Sequence, residues 1–143
     1  IESLLQKLRD RKQPLAARRF ACACVRSIWH RVLAQPGRVL PEAAGQCRRA
    51  VELTERSLRG PVPSSERRAI DFAGITDAGD EAFAAAAHVG WNVFAPVHGL
   101  ALVDEFEHAL EIALMAAAVG GSGEAGRQVA LLREIVEHCG RGC

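Results

Sequence analysis

The stretch RRFACACVRSIWHR, residues 18–31, decides how the chain folds. It sets two thiols, a tryptophan and a histidine inside a run of arginines, a mixture that suits a metal site, a redox pair or the buried face of a helix. On a helix, residues two apart are separated by about 200°. Cys22 and Cys24 therefore point to nearly opposite sides and cannot grip one ion together. The Cys24 side continues through Ala17, Ala21, Ile28 and Val32, while Cys22 shares a flank with Trp29 and Leu33, and Arg19, Arg26 and His30 form the polar edge. Two apolar sides predict a central helix covered on both, in which cysteine acts as a small hydrophobe.

Working outward, proline and glycine punctuation divides the rest into further helices. Leu4, Leu5 and Leu8 share one face of a short amphipathic helix over 2–13, closed by Pro14. The helix of the opening stretch spans about 15–35 and ends before Pro36-Gly37. Pro41 sits where a first-turn proline starts a helix over about 42–59, stopped by Gly60-Pro61. Ser64 or Ser65 caps a shorter helix through Phe72. Asp77 opens another, to about Phe94, and Pro96 and Gly99 turn the corner. From Leu100 to Val119 the apolar positions 102, 103, 106, 109, 110, 113, 114 and 117 keep helical spacing. GGSG closes that helix, and a last one over 124–138 turns Val129, Leu132, Ile135 and Val136 inward, before a glycine-rich tail expected to be mobile. There is no repeat, no strand-length alternation and no hairpin dipeptide.

Bulk properties agree with this pattern. The 143 residues suit one domain able to bury a core without disulfides. Apolar residues make up 49%, yet only 5% are aromatic and Tyr is absent, which favours closely packed helices over a sheet. The expectation is an all-α, single-domain bundle of six or seven helices over 1–143, either whole or a module of a longer protein, with helices 15–35 and 100–119 central. The five cysteines form no framework and no signal peptide precedes them, so reduced thiols and a cytoplasmic location are expected. Ala82–Val103 carries no formal charge but holds His88, Asn92, Pro96 and His98, which argues for a buried helix-turn-helix and no membrane partner.

Charge is unevenly spread. Residues 1–68 hold 15 Lys and Arg against 6 Asp and Glu, while residues 69–143 hold 3 against 11. Either the halves pack on each other within one domain, or they support head-to-tail self-association or an acidic protein partner for the basic half. Arginine supplies 16 of the 18 basic residues, and its fork pairs with carboxylate or phosphate. Arg18, Arg19, Arg26, Arg48 and Arg49 are the candidate interaction residues. Nucleic-acid binding through the 1–68 half is possible but not favoured, since an acidic half can satisfy the same arginines.

Candidate chemistries are incomplete. Structural zinc needs four ligands, to be drawn from Cys47, His138, Cys139 and Cys143 with Cys22 or Cys24, and no two form the usual pair at ligand spacing. Asp104, Glu105, Glu107, His108 and Glu111 read as a solvated acidic helix face. Glu105 and His108 have the ExxH spacing of di-metal bundles, but it is the only ExxH in the chain. Cys47, His108, His138 and Cys139 remain the metal candidates of a zinc or di-metal reading. Gly121, Gly123 and Gly126 spell GxGxxG, but after a helix instead of a strand, so a flexible linker is the simpler reading. No CxxC, GxSxG, Walker A or HExxH motif is present. No catalytic residue and no cofactor are assigned.

Arg19, Phe20, Ala21, Cys22, Ala23, Cys24, Arg26, Ile28, Trp29 and His30, then Arg49, Ala50, Val51, Glu52, Glu55, Arg56 and Gly60, carry a resemblance. They are similar to the "RKLRLFACACCRRIWH" and "RAVEVAERYADG" segments of a heavily duplicated family of planctomycete proteins without a known activity. Leu131, Leu132 and Arg133 resemble its later "LLRDI" segment. Val25 stands where the family often has a third cysteine, and the family's "FGNPF" is absent. The resemblance implies no activity, but duplication and pairing with other modules suit a non-enzymatic interaction or regulatory module, which is the expected function.

Overall fold

The computed structural model describes residues 1–29, 41–70, 85 and 88–140. Among them it is an all-α bundle of seven α-helices and one 3-10 turn, without a strand. The helices are α1 (Glu2–Asp10), α2 (Pro14–Ser27), α3 (Pro41–Ser57), α4 (Ser64–Arg68), α5 (Trp91–Phe94), α6 (Glu105–Gly120) and α7 (Glu124–Gly140), with the 3-10 turn Ala95–His98 between α5 and α6.

The opening stretch is the hub. Ala17, Phe20, Cys24, Val25 and Ile28 are fully enclosed, and Ala16, Ala21 and Cys22 nearly so. Burial on both sides follows because α2 touches α6, its most extensive neighbour, and also α1, α3 and α7. The matching face of α6 carries Ala109, Ile112, Ala113 and Ala116. Alanine on both helices lets the backbones approach, and Phe20, Ile112 and Ile28 fill the space beside them.

Polar contacts fix the helix directions. Arg18 near the start of α2 donates to Glu105 at the start of α6, and Ser27 at the end of α2 donates to Glu124 just beyond the end of α6. α2 and α6 therefore run parallel. Gln128 of α7 donates to the Ala113 carbonyl at 2.9 Å, and Arg11 reaches the Val136 carbonyl at 2.8 Å, so α7 returns antiparallel to α6. Thr54, buried in α3, donates to the Ala50 and Val89 carbonyls and ties α3 to the helical residues 88–89.

Several sequence expectations need correction. The helix expected over 15–35 ends at Ser27, with Ile28 at φ −102°, ψ 6°; residues 30–35 lie outside the described ones. The first helix closes at Asp10, and Lys12 takes a positive φ of 56° before Pro14. α4 ends at Arg68, while residues 71–72, 77–84 and 86–87 of the two helices expected there fall outside the described residues. A turn at Gly90 separates 88–89 from α5.

The largest correction concerns 100–119. The helix starts only at Glu105, because Asp104 caps it, accepting from the Phe106 and Glu107 N–H groups at 3.0 Å each. Leu102 and Val103 matched the helical spacing but lie on a non-helical segment, Leu102 at 64% exposure. The buried stripe of α6 is also rotated: Leu114 is exposed, whereas His108, Ile112 and Ala116 are enclosed.

The GGSG loop makes a close corner between α6 and α7. A Cβ on Gly120 would come within 2.7 Å of the Glu124 side chain, so glycine there is what lets Glu124 fold back against the bundle at 1% exposure. Arg127 pairs with the same carboxylate at 2.6 Å.

Phe20→Ala should lower the unfolding free energy by about 3–5 kcal/mol, whereas Leu114→Ala should change it by less than about 0.5 kcal/mol. Urea denaturation followed by circular dichroism reads both.

Candidate functional site

Of the five candidate arginines, three are engaged within the fold: Arg18, Arg49 and Arg26. Arg18 is half-buried and spends its guanidinium on Glu105 and on Ser57 Oγ at 3.0 Å. It is a strut between α2, α3 and α6, not a free surface charge. Arg49 donates to the Ala69 carbonyl at 3.3 Å and lines a cleft of about 440 Å³ between α3 and α4. That cleft is internally balanced, because Arg56 pairs with Glu66 at 2.9 Å across it. Arg48 is exposed and lines neither this cleft nor the next.

Arg19 and Arg26 stand on the rim of an open groove of about 710 Å³ between α2 and the C-terminal end of α3. Its floor is Cys22, Ala23 and Leu58, and Arg59 faces it from the end of α3. Arg26 holds Glu55 through two hydrogen bonds, the shorter 2.6 Å, and stacks on Trp29 with its carbon 5.4 Å from the ring centre. The Glu55 bond raises the Arg26 pKa further above its ordinary value. Arg19 and Arg59 are exposed and bond nothing among the described residues. A fixed ion pair thus bridges the two walls of the groove, while two other arginine forks are open above an apolar floor.

The thiols are positioned as helical geometry requires. Cys22 lies under the groove, and Cys24 on the other side of α2 near Glu124. Burial first, then the neighbouring carboxylates, push both thiols up to about 12. Both stay protonated and unreactive near neutral pH.

The metal candidates do not assemble. Cys47 is fully buried in α3, His108 is buried in α6, His138 is exposed in the last turns of α7 and Cys139 is half-buried beside it. Among the described residues no three His, Cys, Asp or Glu side chains group to hold an ion; Cys143 lies outside the described residues. Glu105, the other half of the ExxH pair, is committed to Arg18.

His108 is a core residue and not part of a solvated acidic face. Its ring bonds the His88 backbone and packs edge-on to the His88 ring at 6.5 Å, while Nε2 is buried without a hydrogen bond. Burial lowers its pKa, against the raising effects of Glu105, the His88 backbone and Glu111.

Two positions escaped sequence reading. Asp104 with Glu107 three residues on is the spacing of a capping box and could have placed the start of α6. Glu124 carried no signal of burial apart from the glycines before it. Among the described residues no helix is long and apolar enough to cross a membrane. No family model, no curated protein and no solved structure matches the chain.

With iodoacetamide near neutral pH, the folded protein should keep Cys22 and Cys24 unmodified while denatured protein is alkylated at both, read by peptide mass mapping. For His108 the folded pKa lies below the unfolded one. Its neutral form stabilises the fold above the unfolded value of about 6.5, and stability is lost as pH falls below that. Urea midpoints should therefore fall between about pH 7.5 and about 5.5, and His108→Leu should flatten that slope.

Proposed function

We propose that the protein is a non-enzymatic interaction module that docks an acidic segment of a partner protein in the α2–α3 groove. The observation that supports this reading is the pair Arg19 and Arg59, unpaired among the described residues, above an apolar floor, with the fixed Arg26–Glu55 pair bridging the groove. Arginine forks donate to carboxylates two oxygens at a time. Leu58 and Ala23 offer apolar contact between the charges. Glu55 at the rim repels acidic groups from one edge and gives the occupant a register.

The mixed rim is also why a protein is favoured over nucleic acid. A phosphate backbone repeats its charge evenly and would meet Glu55 unfavourably, whereas a peptide can vary its charge along its length. The proposal extends to kinship with the duplicated planctomycete family, whose pairing with other modules suits a docking unit. It extends also to a cytoplasmic location, where reduced Cys22 and Cys24 would persist.

A fluorescent peptide with two glutamates set about one leucine and uncharged residues beyond them is the probe. Arg19→Glu combined with Arg59→Glu should weaken its binding at least about tenfold, equivalent to ~1.4 kcal/mol, with helicity unchanged. Arg133→Glu, on exposed α7 outside the groove, should leave it unchanged. Equal binding by wild type and the double variant overturns the reading. Stronger binding of a single-stranded oligonucleotide, with a steep loss of affinity as salt rises, replaces it with the nucleic-acid one.

A further inference from the structure

The segment 100–104, between the 3-10 turn and α6, is exposed and apolar: Leu100 at 45%, Leu102 at 64% and Val103 at 37%. Two side chains of α5 hold its backbone from one edge. Trp91 Nε1 donates to the Ala101 carbonyl at 3.1 Å. The Asn92 amide accepts from the Val103 N–H at 2.9 Å and donates to the Val103 carbonyl at 2.8 Å. A single amide can take both groups of one residue only where that residue is extended, so Asn92 and Trp91 act in place of a neighbouring strand.

Alternation along an extended chain then turns the Leu102 N–H and C=O to the opposite edge. Among the described residues these two groups form no hydrogen bond, and neither do the Leu100 carbonyl and the Asp104 N–H. The other backbone groups at the two ends are used: the Leu100 N–H donates to the Ala95 carbonyl, and the Asp104 carbonyl accepts from the His108 N–H. The open groups are thus symmetric about Leu102, with one acceptor two residues before it and one donor two residues after.

We propose that this edge pairs with the same edge of a second copy of the chain, antiparallel, about a twofold axis at Leu102. In that register each Leu102 exchanges two hydrogen bonds with its counterpart. Each Asp104 N–H donates to the Leu100 carbonyl of the other copy, so all four open groups on each chain are satisfied. The side chains agree with the register. Leu102 faces Leu102, and Asp104 faces Leu100 instead of another carboxylate, its own charge being held by Arg9 at 3.1 Å. This surface is separate from the arginine groove and does not depend on it.

A paired edge of five residues buries far less than the ~1,600 Å² of a standard interface, so association is weak and is to be sought from about 10 μM to about 1 mM. Analytical ultracentrifugation of the full chain across that range should show the mean mass rising from monomer toward dimer at all salt concentrations. Leu102→Glu, which sets two carboxylates face to face at an exposed site, should hold the protein monomeric with unchanged helicity. Leu102→Pro, which removes the central donor, should do the same, while Leu102→Val should still dimerise. A monomer over the whole range overturns the proposal. So does association that survives Leu102→Glu, or that salt and the Arg19→Glu, Arg59→Glu double variant abolish, the signature of contact between the basic and acidic halves.

Discussion

The close approach of α2 and α6 is the constraint on which the rest of the structure depends. Alanines at 17 and 21 on one helix and at 109, 113 and 116 on the other are all enclosed, and their small side chains set a short distance between the axes. Everything larger is arranged around that contact. Phe20, Val25 and Ile28 of the opening stretch, Leu5 and Leu8 of α1 and Leu132 and Val136 of α7 belong to the same buried cluster. A larger residue at any of these alanines would push the pair apart and strain the core.

The same pair spends much of the charge asymmetry of the chain. Arg18 meets Glu105 at one end, and Ser27 meets Glu124 at the other. Beside them Arg9 pairs with Asp104 and stacks on Phe106 at 5.2 Å, and Arg11 caps a carbonyl of α7. The basic half supplies donors on α1 and α2, and the acidic half supplies acceptors at the N-terminal ends of α6 and α7. Carboxylates are also favoured there by the helix dipole. What the halves do not consume, Arg19 and Arg59 above all, is left where α2 meets α3, because Glu52, Glu55 and Glu66 are the only acidic side chains of α3 and α4 with a described position.

The double-sided burial of α2 was legible because the 200° separation of Cys22 and Cys24 leaves few alternatives once a helix is assumed. The ends of helices were less so. Leu102 and Val103 continued the apolar spacing of α6, and periodicity alone cannot tell a helical turn from an extended apolar segment that contacts from a distant Asn92 and Trp91 hold open. His108 was hidden for a related reason: carboxylates on both sides in sequence suggested solvent, but a one-residue rotation of the buried stripe brings it inside. The groove was half legible. Arg19 and Arg26 were seen as the polar edge of α2, whereas Arg59 enters only through the packing of α3, and Arg18 is separated from Arg19 by nothing except the side of the helix it occupies.

That last distinction shows how one helix carries both core and surface. Arg18 and Arg19 are adjacent, about 100° apart on α2, and this angle alone sends one guanidinium to Glu105 inside the bundle and the other to open solvent. Cys22 lies one turn further along, at 3% exposure and under the groove floor, so the floor is also part of the core. The groove therefore cannot change shape without disturbing the core packing around α2. A rigid floor costs a docking partner little in ordering the protein, and leaves the exposed arginine side chains as the groups that must be fixed on binding.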